Sequence, residues 1–413
     1  SKDIYDKFVD STNDLDARGY LELLLQSKKS VTVDFEAQTD TCGRLTRVFV
    51  AYTEGQALWN NRSANVLFLD ATHGTNRYAF KLSIFVTVDN NGATFILAYL
   101  LHREETDDDM SWGLHCFNSF FIGAPASLFT DSGSGMLKAS IRATSEGDIW
   151  PHTRHLLCIW HLDCNFYEHI RCLFTKNDEG WGTVHDLFWW LAKHSDLSND
   201  ICVDEQLQYL HAYVAENGKG ASKKSALEWI TNVLIARANK WVACLCWDVF
   251  TAGMHSTGRS ESTNFGLKTI LRGNSTLVQL HEGVTKYKEQ RTFKVALERE
   301  NRVLSQLSLC KTLPIWASSL TVKVSPYAIK LFMLQLGLAL KYSYQVERVP
   351  DDDDISDKNR GDPCNTNYMV SRLDVKVDNL SPRDPNGKSN LFNCTHYAMG
   401  CEDTISQRWV TLN

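Results

Sequence analysis

Three apolar segments follow one another closely in the first quarter of the chain: NVLFLD (65–70), FKLSIFVTVD (80–89) and TFILAYLL (94–101). Each has the length and the β-branched and aromatic content of a buried strand. The sequence DNNG between the second and the third segment is a strong hairpin signal. The pattern therefore predicts three successive strands that pair in antiparallel fashion.

The spacing of apolar residues changes after these strands. MSWGLHCFNSFF (110–121) has helical spacing, whereas ASLFTD (126–131) and HLLCIWH (155–161) are short apolar runs typical of strands. Upstream, VTVDFEAQ (31–38) and LTRVFVAYT (45–53) flank the turn TDTCG and predict a further hairpin. The predicted order from residue 65 onward is β-β-β-α-β-α-β, which indicates a mixed α/β fold.

Helical patterns replace strands in the second half of the chain. Residues 162–252 are rich in aromatic residues at helical spacing and contain no β-like run. Residues 253–310 begin with a Gly/Ser-rich turn and continue as helices, and residues 350–363 have the composition of an acidic linker. These changes predict an all-α insertion within the α/β fold and a separate C-terminal tail after the linker.

Composition narrows the class of protein. Of the 413 residues, 43% are apolar and 11% are aromatic, which is typical of a packed globular protein. No run of 18 apolar residues is present, so the sequence predicts no membrane span. The twelve cysteines are scattered, which indicates reduced, buried thiols rather than a disulfide scaffold. The net charge of −6 argues mildly against a nucleic-acid binder, although a local basic groove is compatible with it.

Two aspartates, Asp70 and Asp131, stand where predicted strands end. Ligands in α/β sheets bind at the carboxyl ends of strands, and paired carboxylates suit the two divalent ions of phosphoryl transfer. The alternative is that each aspartate simply begins a turn. A third carboxylate is needed, and Glu261 is the candidate, at the start of a helix that Ser260 could cap. The alternative for Glu261 is an ordinary acidic residue in a first helical turn.

Several motifs together resemble a known family. In chain order they are FLDATHGTNRYAFKLSIFVTVDNNG, HREET with SWGLHCF, SLFTDSGSGM, HLLCIWHLDCN and TAGMHSTGRSESTNFGLK. They are similar to the successive motifs of Mutator-like (MULE) DNA transposases over about residues 20–310. The resemblance extends to the plant far-red-impaired-response transcription factors, which are domesticated relatives of these transposases.

The resemblance implies a ribonuclease H-like mixed sheet with antiparallel first strands, interrupted by an all-α insertion before the third carboxylate. The predicted divisions begin with an N-terminal helical and hairpin region (1–62) and the first part of the ribonuclease H-like core (63–161). The all-α insertion (162–252) and the last part of the core (253–310) follow. A C-terminal helical region (311–349), the acidic linker (350–363) and the tail (364–413) complete the chain.

The resemblance also implies a chemistry. Asp70, Asp131 and Glu261 fall on the Asp-Asp-Glu triad and would be both the catalytic residues and the ligands of two Mg²⁺ or Mn²⁺ ions. Water would attack at a transposon end, and the freed 3′-hydroxyl would then attack target DNA. The implied partners are transposon ends, target DNA and further copies of the chain, without a membrane, and the implied location is the nucleus.

Cys158 and His161 form a Cys-x-x-His pair between the second aspartate and the glutamate. Such a pair is half of a zinc site, but Cys164 is the only further cysteine close by in the sequence. A structural role beside the catalytic carboxylates is the favoured interpretation, and metal ligation is the alternative.

Three further residues are candidates for contacts with DNA. Arg259 suits either a phosphate contact or an ion pair with an acid, and the sequence favours neither. His73 and Asn76 follow Asp70 and could face DNA, although a role in the turn is the better interpretation.

The tail partly resembles the SWIM zinc finger of such relatives. Cys394 and His396 match its Cys-x-His half, whereas the Cys-x-Cys half is absent. Either the finger is degenerate, or zinc binding is completed by Cys364 or Cys401.

Two functions of different classes follow from these motifs. One is a DDE transposase that cleaves and joins DNA strands. The other is a domesticated, non-catalytic nuclear protein that binds DNA and regulates transcription, or an effector derived from such a transposase.

Overall fold

The fold was analysed in a computed structural model. It describes residues 15–61, 65–89, 92–175, 179–193, 203–246, 249–252, 254, 256–309, 344–348, 368–372 and 396–397. The chain divides into two compact units, one made of residues 1–166 and 248–327 and the other of residues 167–247 and 328–413. In the part of the chain that is described, no helix is both long and apolar enough to cross a bilayer.

A seven-stranded mixed sheet organises the first unit, in the order β1-β2-β5-β4-β3-β6-β7. Its strands are β1 (Val33–Thr39), β2 (Leu45–Tyr52), β3 (Val66–Thr72), β4 (Lys81–Val88), β5 (Thr94–His102), β6 (Ser127–Thr130) and β7 (Arg154–Leu157). Strands β3, β4 and β5 pair in antiparallel fashion, whereas β6 is parallel to β3 and β7 is parallel to β6. The predicted mixed α/β fold with antiparallel first strands is therefore confirmed.

Helices complete the first unit. They are α1 (Leu15–Lys29), α2 (Thr53–Asn60), α3 (Asp107–Phe120), α4 (Ser134–Ala143), the first residues of α5 (Ile159–Ile170), α9 (Gly258–Ile270) and α10 (Leu277–Leu309). The start of α3 is capped by Thr106, whose hydroxyl accepts the backbone N–H of Asp109. The helices cover the sheet, so its central strands are almost continuously apolar.

Aromatic side chains fill the core between the sheet and α3. Phe117 stacks on Phe121 with ring centroids 4.2 Å apart and on Phe85 at 5.4 Å. The rings of Trp59 and Trp150 meet Phe117 edge-on. Such pairs add about 0.5–1.5 kcal/mol each beyond the apolar area that they bury. The core therefore holds the strands, and with them the strand ends, in fixed positions.

Helices and short turns form the described residues of the second unit that precede residue 247. Its helices are the remainder of α5, then α6 (Glu179–Lys193), α7 (Val203–Asn217) and α8 (Lys223–Trp229), with short 3₁₀ and π turns at Arg171–Leu173, Ile230–Ile235, Ala238–Lys240 and Ala243–Leu245. A small sheet of β8 (Tyr344–Arg348), β9 (Tyr368–Arg372) and β10 (His396–Tyr397) has the order β10-β9-β8. Strand β8 lies in a region predicted to be helical, and the rest of that region from residue 311 is outside the described residues.

Two local predictions were wrong. The strand predicted over residues 155–161 ends at Leu157, because Cys158 N–H still donates to the carbonyl of Thr130 while Cys158 O already accepts Leu162 N–H. Cys158 is therefore the junction between β7 and α5. Ser260 does not cap α9, since that helix begins at Gly258 and Ser260 lies inside its first turn with a buried hydroxyl.

Gly135 lies in the first turn of α4, where that helix packs closely on the loop after β5, and a substitution at this position tests that contact. A Cβ atom at this position would overlap the backbone carbonyl oxygen of Glu105. We expect Gly135→Ala to lower the free energy of unfolding by about 1–3 kcal/mol, because backbone cannot yield as a side chain can.

Gly19→Ala, in the interior of α1, is the matched control. The added methyl group there would make an ordinary contact of 3.7 Å with Val278. It should stabilise the protein by about 0.5–1 kcal/mol, since alanine is the better helix former. Urea denaturation measures both variants, and equal effects would contradict the close approach at Gly135.

Candidate metal centre

The parallel pairing of β3 with β6 brings Asp70 and Asp131 to the same edge of the sheet. Leu69 is opposite Thr130 in this register, and each aspartate is the next residue along its strand direction. Asp131 follows β6 directly, as predicted, whereas β3 continues to Thr72, so Asp70 lies two residues before the end of its strand and just past the last residue that pairs with β6. Side chains in such neighbouring positions at the carboxyl side of a sheet share one crevice. The structure therefore places the two sequence-predicted aspartates side by side.

Asp70 is buried, with 6% of its surface exposed, and its Oδ2 accepts a hydrogen bond of 2.8 Å from Asn264 Nδ2. Burial raises the pKa of Asp70 to about 6, and the negative charges of Glu261 and Asp131 act in the same direction. The positive charge of His161 and the hydrogen bond from Asn264 oppose this rise. The three predicted carboxylates therefore lie within electrostatic reach of one another.

Glu261 lies in the first turn of α9 and is held through one oxygen. Its Oε1 accepts hydrogen bonds from Thr257 Oγ1 at 3.0 Å and from the thiol of Cys158 at 3.5 Å. His161 Nδ1 lies 3.8 Å from the same oxygen. These contacts connect the β7–α5 junction to α9 and fix the direction of the glutamate side chain.

Cys158 and His161 are therefore part of this centre. The Cys158 thiol is buried, and its sulfur accepts the backbone N–H groups of His161 (3.5 Å) and Thr257 (3.3 Å). One ligand atom from each of Cys158, His161 and Glu261 lies within 4.8 Å of the other two. Within the described ranges, this trio is the one group of three or more such residues that meets that spacing.

His161 supplies positive charge among the carboxylates. Burial lowers the pKa of His161, but hydrogen bonding to Cys158 and the charges of Asp131 and Asp70 outweigh it, so that the pKa rises to about 9. In the metal-free protein at neutral pH the imidazole is thus protonated. It partly balances the negative charge at the strand ends.

Glu105 is a fourth carboxylate that sequence reasoning did not single out. Burial and the charge of Asp131 raise its pKa. A Cβ atom at Gly133 would lie 3.7 Å from Asp131 Oδ2 and 3.8 Å from Glu105 Oε1, so both carboxylates flank this glycine. The signal in the sequence was its place in HREET, one of the motifs that carry the family resemblance.

Asn264 was also missed. It follows Glu261 by three positions on α9, so both side chains lie on the same helix face. That spacing was the available signal, but only the folded chain shows that this face meets β3.

The other predicted contact residues have different roles in the structure. Asn76 is buried in the turn after β3, where its side chain bonds the backbone of Tyr78 and Phe80, in agreement with the turn interpretation. His73 is exposed, and its Nε2 lies 4.0 Å from Oε2 of Glu105. Arg259 Nη1 donates to Thr94 Oγ1 at 3.4 Å.

The zinc candidates of the tail cannot be placed in the same way. Cys364, Cys394 and Cys401 lie outside the described residues, and only the backbone of His396 is described, in β10. The SWIM-like site stays a prediction from the sequence.

Comparison with known proteins supports the family resemblance that the sequence motifs indicate. Residues 66–165 match the model of the MULE transposase domain, a segment that runs from β3 into α5 and includes Asp70, Asp131, Cys158 and His161. The chain is thus similar to transposase-derived proteins, as its motifs predict.

Particular relatives are plant proteins from Arabidopsis thaliana. Protein FAR1-RELATED SEQUENCE 11 is 26% identical over 325 residues, which cover 78% of this chain and 44% of that protein. Protein FAR-RED IMPAIRED RESPONSE 1 is 23% identical over a segment that covers 48% of this chain and 22% of that protein. Protein FAR1-RELATED SEQUENCE 5 is 22% identical over a segment that covers 82% of this chain and 40% of that protein. The chain spans less than half the length of these relatives.

The buried charge of Asp70 predicts a cost in stability. Because folding raises its pKa from 3.8 to about 6, the charge of Asp70 lowers the stability of the fold progressively from about pH 4 and fully above about pH 6. With divalent ions chelated at pH 8, Asp70→Asn should raise the free energy of unfolding by about 2–3 kcal/mol. The gain should shrink as the pH falls through 6 and disappear below about pH 4, where the unfolded wild-type carboxyl is protonated as well.

Asp89→Asn is the matched control, because Asp89 is also buried but its Oδ1 accepts the backbone N–H of Ala93 at 2.7 Å. Since asparagine keeps an Oδ1 acceptor for this N–H but lacks the charge that strengthens the bond, Asp89→Asn should leave the free energy of unfolding unchanged or lower it slightly. Urea denaturation at several pH values measures both variants. A destabilised Asp70→Asn protein at pH 8 would contradict the crowding of negative charge at this site.

Proposed function

We propose that this chain carries the catalytic core of a Mutator-like DDE transposase, which cleaves and transfers DNA strands in a metal-dependent reaction. The observation that supports this most is that Asp70 and Asp131 lie side by side, each directly after the last residue pair of β3 and β6, with Glu261 within electrostatic reach. Like charges at a buried site are costly unless a cation binds there. The crowding of carboxylates is therefore best explained by divalent metal binding.

The donor set fits Mg²⁺ or Mn²⁺. Carboxylate oxygens are the ligands that these hard ions prefer, and Asp70, Asp131 and Glu261 would hold two ions. When bound, such ions lower the pKa of an attacking water or hydroxyl and neutralise charge on the leaving oxygen. The neighbouring Glu105 adds negative charge beside Asp131.

The remaining side chains keep this set in place. Asn264 orients the Asp70 carboxylate through Oδ2, and Thr257 orients Glu261 through Oε1. In the absence of metal, the protonated His161 ring balances part of the carboxylate charge, and bound cations would take over this role. Such fixed groups contribute to catalysis because they need no reorganisation when charge develops.

The proposed substrates are transposon ends and target DNA, and the proposed location is the nucleus. Both proposals rest on the similarity to the MULE transposase domain and to the FAR1-related proteins. Joining two transposon ends needs more than one active site, so we propose that the chain acts as a multimer.

The second candidate is a domesticated nuclear protein that binds DNA without cutting it. The similarity to FAR1-related proteins over 78% of the chain favours this alternative. In such a protein the hydrogen bonds from Cys158 and Thr257 to Glu261 would serve the fold alone.

An assay of DNA cleavage and joining distinguishes the transposase from the non-catalytic protein. It uses a DNA duplex that carries the transposon end, with Mn²⁺ as the metal. Asp70→Asn, Asp131→Asn and Glu261→Gln should each lower the rate at least a hundredfold, since each removes one ligand charge. Asp89→Asn, which changes a carboxylate at the β4–β5 turn, should retain activity in proportion to its folded fraction.

Full activity in Asp70→Asn would contradict the triad. An inactive wild-type protein that still binds DNA, assayed with both Mg²⁺ and Mn²⁺, would favour the non-catalytic alternative.

A further inference from the structure

Three donor atoms of different chemistry converge between β7 and α9. Cys158 Sγ lies 3.5 Å from Glu261 Oε1, and His161 Nδ1 lies 3.8 Å from that oxygen. For tetrahedral Zn²⁺ with ordinary bond lengths, the sulfur–oxygen and nitrogen–oxygen separations are about 3.6 Å and 3.4 Å. The trio therefore needs only small side-chain movements to coordinate zinc.

The sulfur has the surroundings of a metal-bound thiolate. It accepts two backbone N–H groups, one from His161 in the first turn of α5 and one from Thr257 just before α9. Donors of this kind stabilise negative charge on sulfur. Thr257 also donates its hydroxyl to Glu261, so a single residue orients two of the three donors, as the outer partners of metal ligands do.

The donor types select the metal. Sulfur and imidazole nitrogen are poor ligands for Mg²⁺, whereas Zn²⁺ binds sulfur, nitrogen and carboxylate oxygen together. The aspartate pair offers oxygen alone. Two donor sets with different metal preferences thus meet at Glu261, whose Oε1 faces the sulfur and nitrogen.

We propose that Cys158, His161 and Glu261 form a Zn²⁺ site with one open coordination position, separate from the pair Asp70 and Asp131. This site goes beyond the proposed strand-transfer function, although it shares Glu261 with it. A zinc ion there would fix the glutamate, and the fourth position would accept water or another oxygen ligand.

Co²⁺ replaces Zn²⁺ as a visible probe, because thiolate ligation to Co²⁺ produces charge-transfer absorption in the near ultraviolet. The starting protein is the full chain with Cys364→Ser, Cys394→Ser and Cys401→Ser, which removes the thiols of the tail. We expect this absorption to saturate at one equivalent of bound Co²⁺ and to disappear when Zn²⁺ is added, and Co²⁺ bound by oxygen ligands alone adds nothing to the band.

In this background Cys158→Ser should abolish the charge-transfer band, and His161→Ala and Glu261→Gln should weaken Co²⁺ binding at least tenfold each. Cys164→Ser, on the same helix, should leave the band unchanged. Asp131→Asn should retain the band while losing strand cleavage, so a failure of the zinc site is distinguishable from a failure of the proposed function.

An unchanged band in Cys158→Ser, or its absence in the starting protein, would overturn the proposal. Circular dichroism verifies that each variant is folded. If Cys158→Ser does not fold, X-ray absorption at the zinc edge of the starting protein decides instead. One sulfur among nitrogen and oxygen ligands supports the site, and a shell without sulfur overturns it.

Discussion

Repulsion among carboxylates at the ends of β3 and β6 is the constraint on which the site depends. The parallel register sets Asp70 beside Asp131, and α9 adds Glu261 from a distant part of the chain. The fold tolerates this arrangement because the aromatic core anchors the strands and His161 supplies positive charge. Such a costly arrangement of charge is typical of functional sites, where stability is lost in exchange for activity.

Much of the fold could be predicted from local patterns. The apolar runs that form β3, β4 and β5 are buried on both faces, so their length and composition identified them. Asp131 directly follows its strand as predicted, whereas β3 runs two residues past Asp70, because pairing with β4 continues to Thr72. The error at HLLCIWH arose because an apolar run of this length fits a strand and a buried helical turn equally well. The boundary lies at Cys158, whose N–H bonds to Thr130 of β6 and whose carbonyl accepts Leu162 N–H in α5.

The contacts that complete the site could not be predicted, since they join distant segments. Cys158 and Glu261 are 103 positions apart, and Asn264 and Asp70 are 194 apart. The sequence presented Cys-x-x-His as half of a zinc site without a partner, and the fold brings Glu261 to it. Ser260 showed the opposite limit, because a residue well suited to cap a helix lies within its first turn instead.

A crystal structure of the protein with Mn²⁺, analysed by anomalous scattering, tests the central claim most directly, namely that the carboxylates at the strand ends bind divalent metal. The account predicts an anomalous peak coordinated by both Asp70 and Asp131, and none in Asp131→Asn. A structure at saturating Mn²⁺ without a peak at these two carboxylates, in which Asp70 keeps only its bond to Asn264, would contradict it.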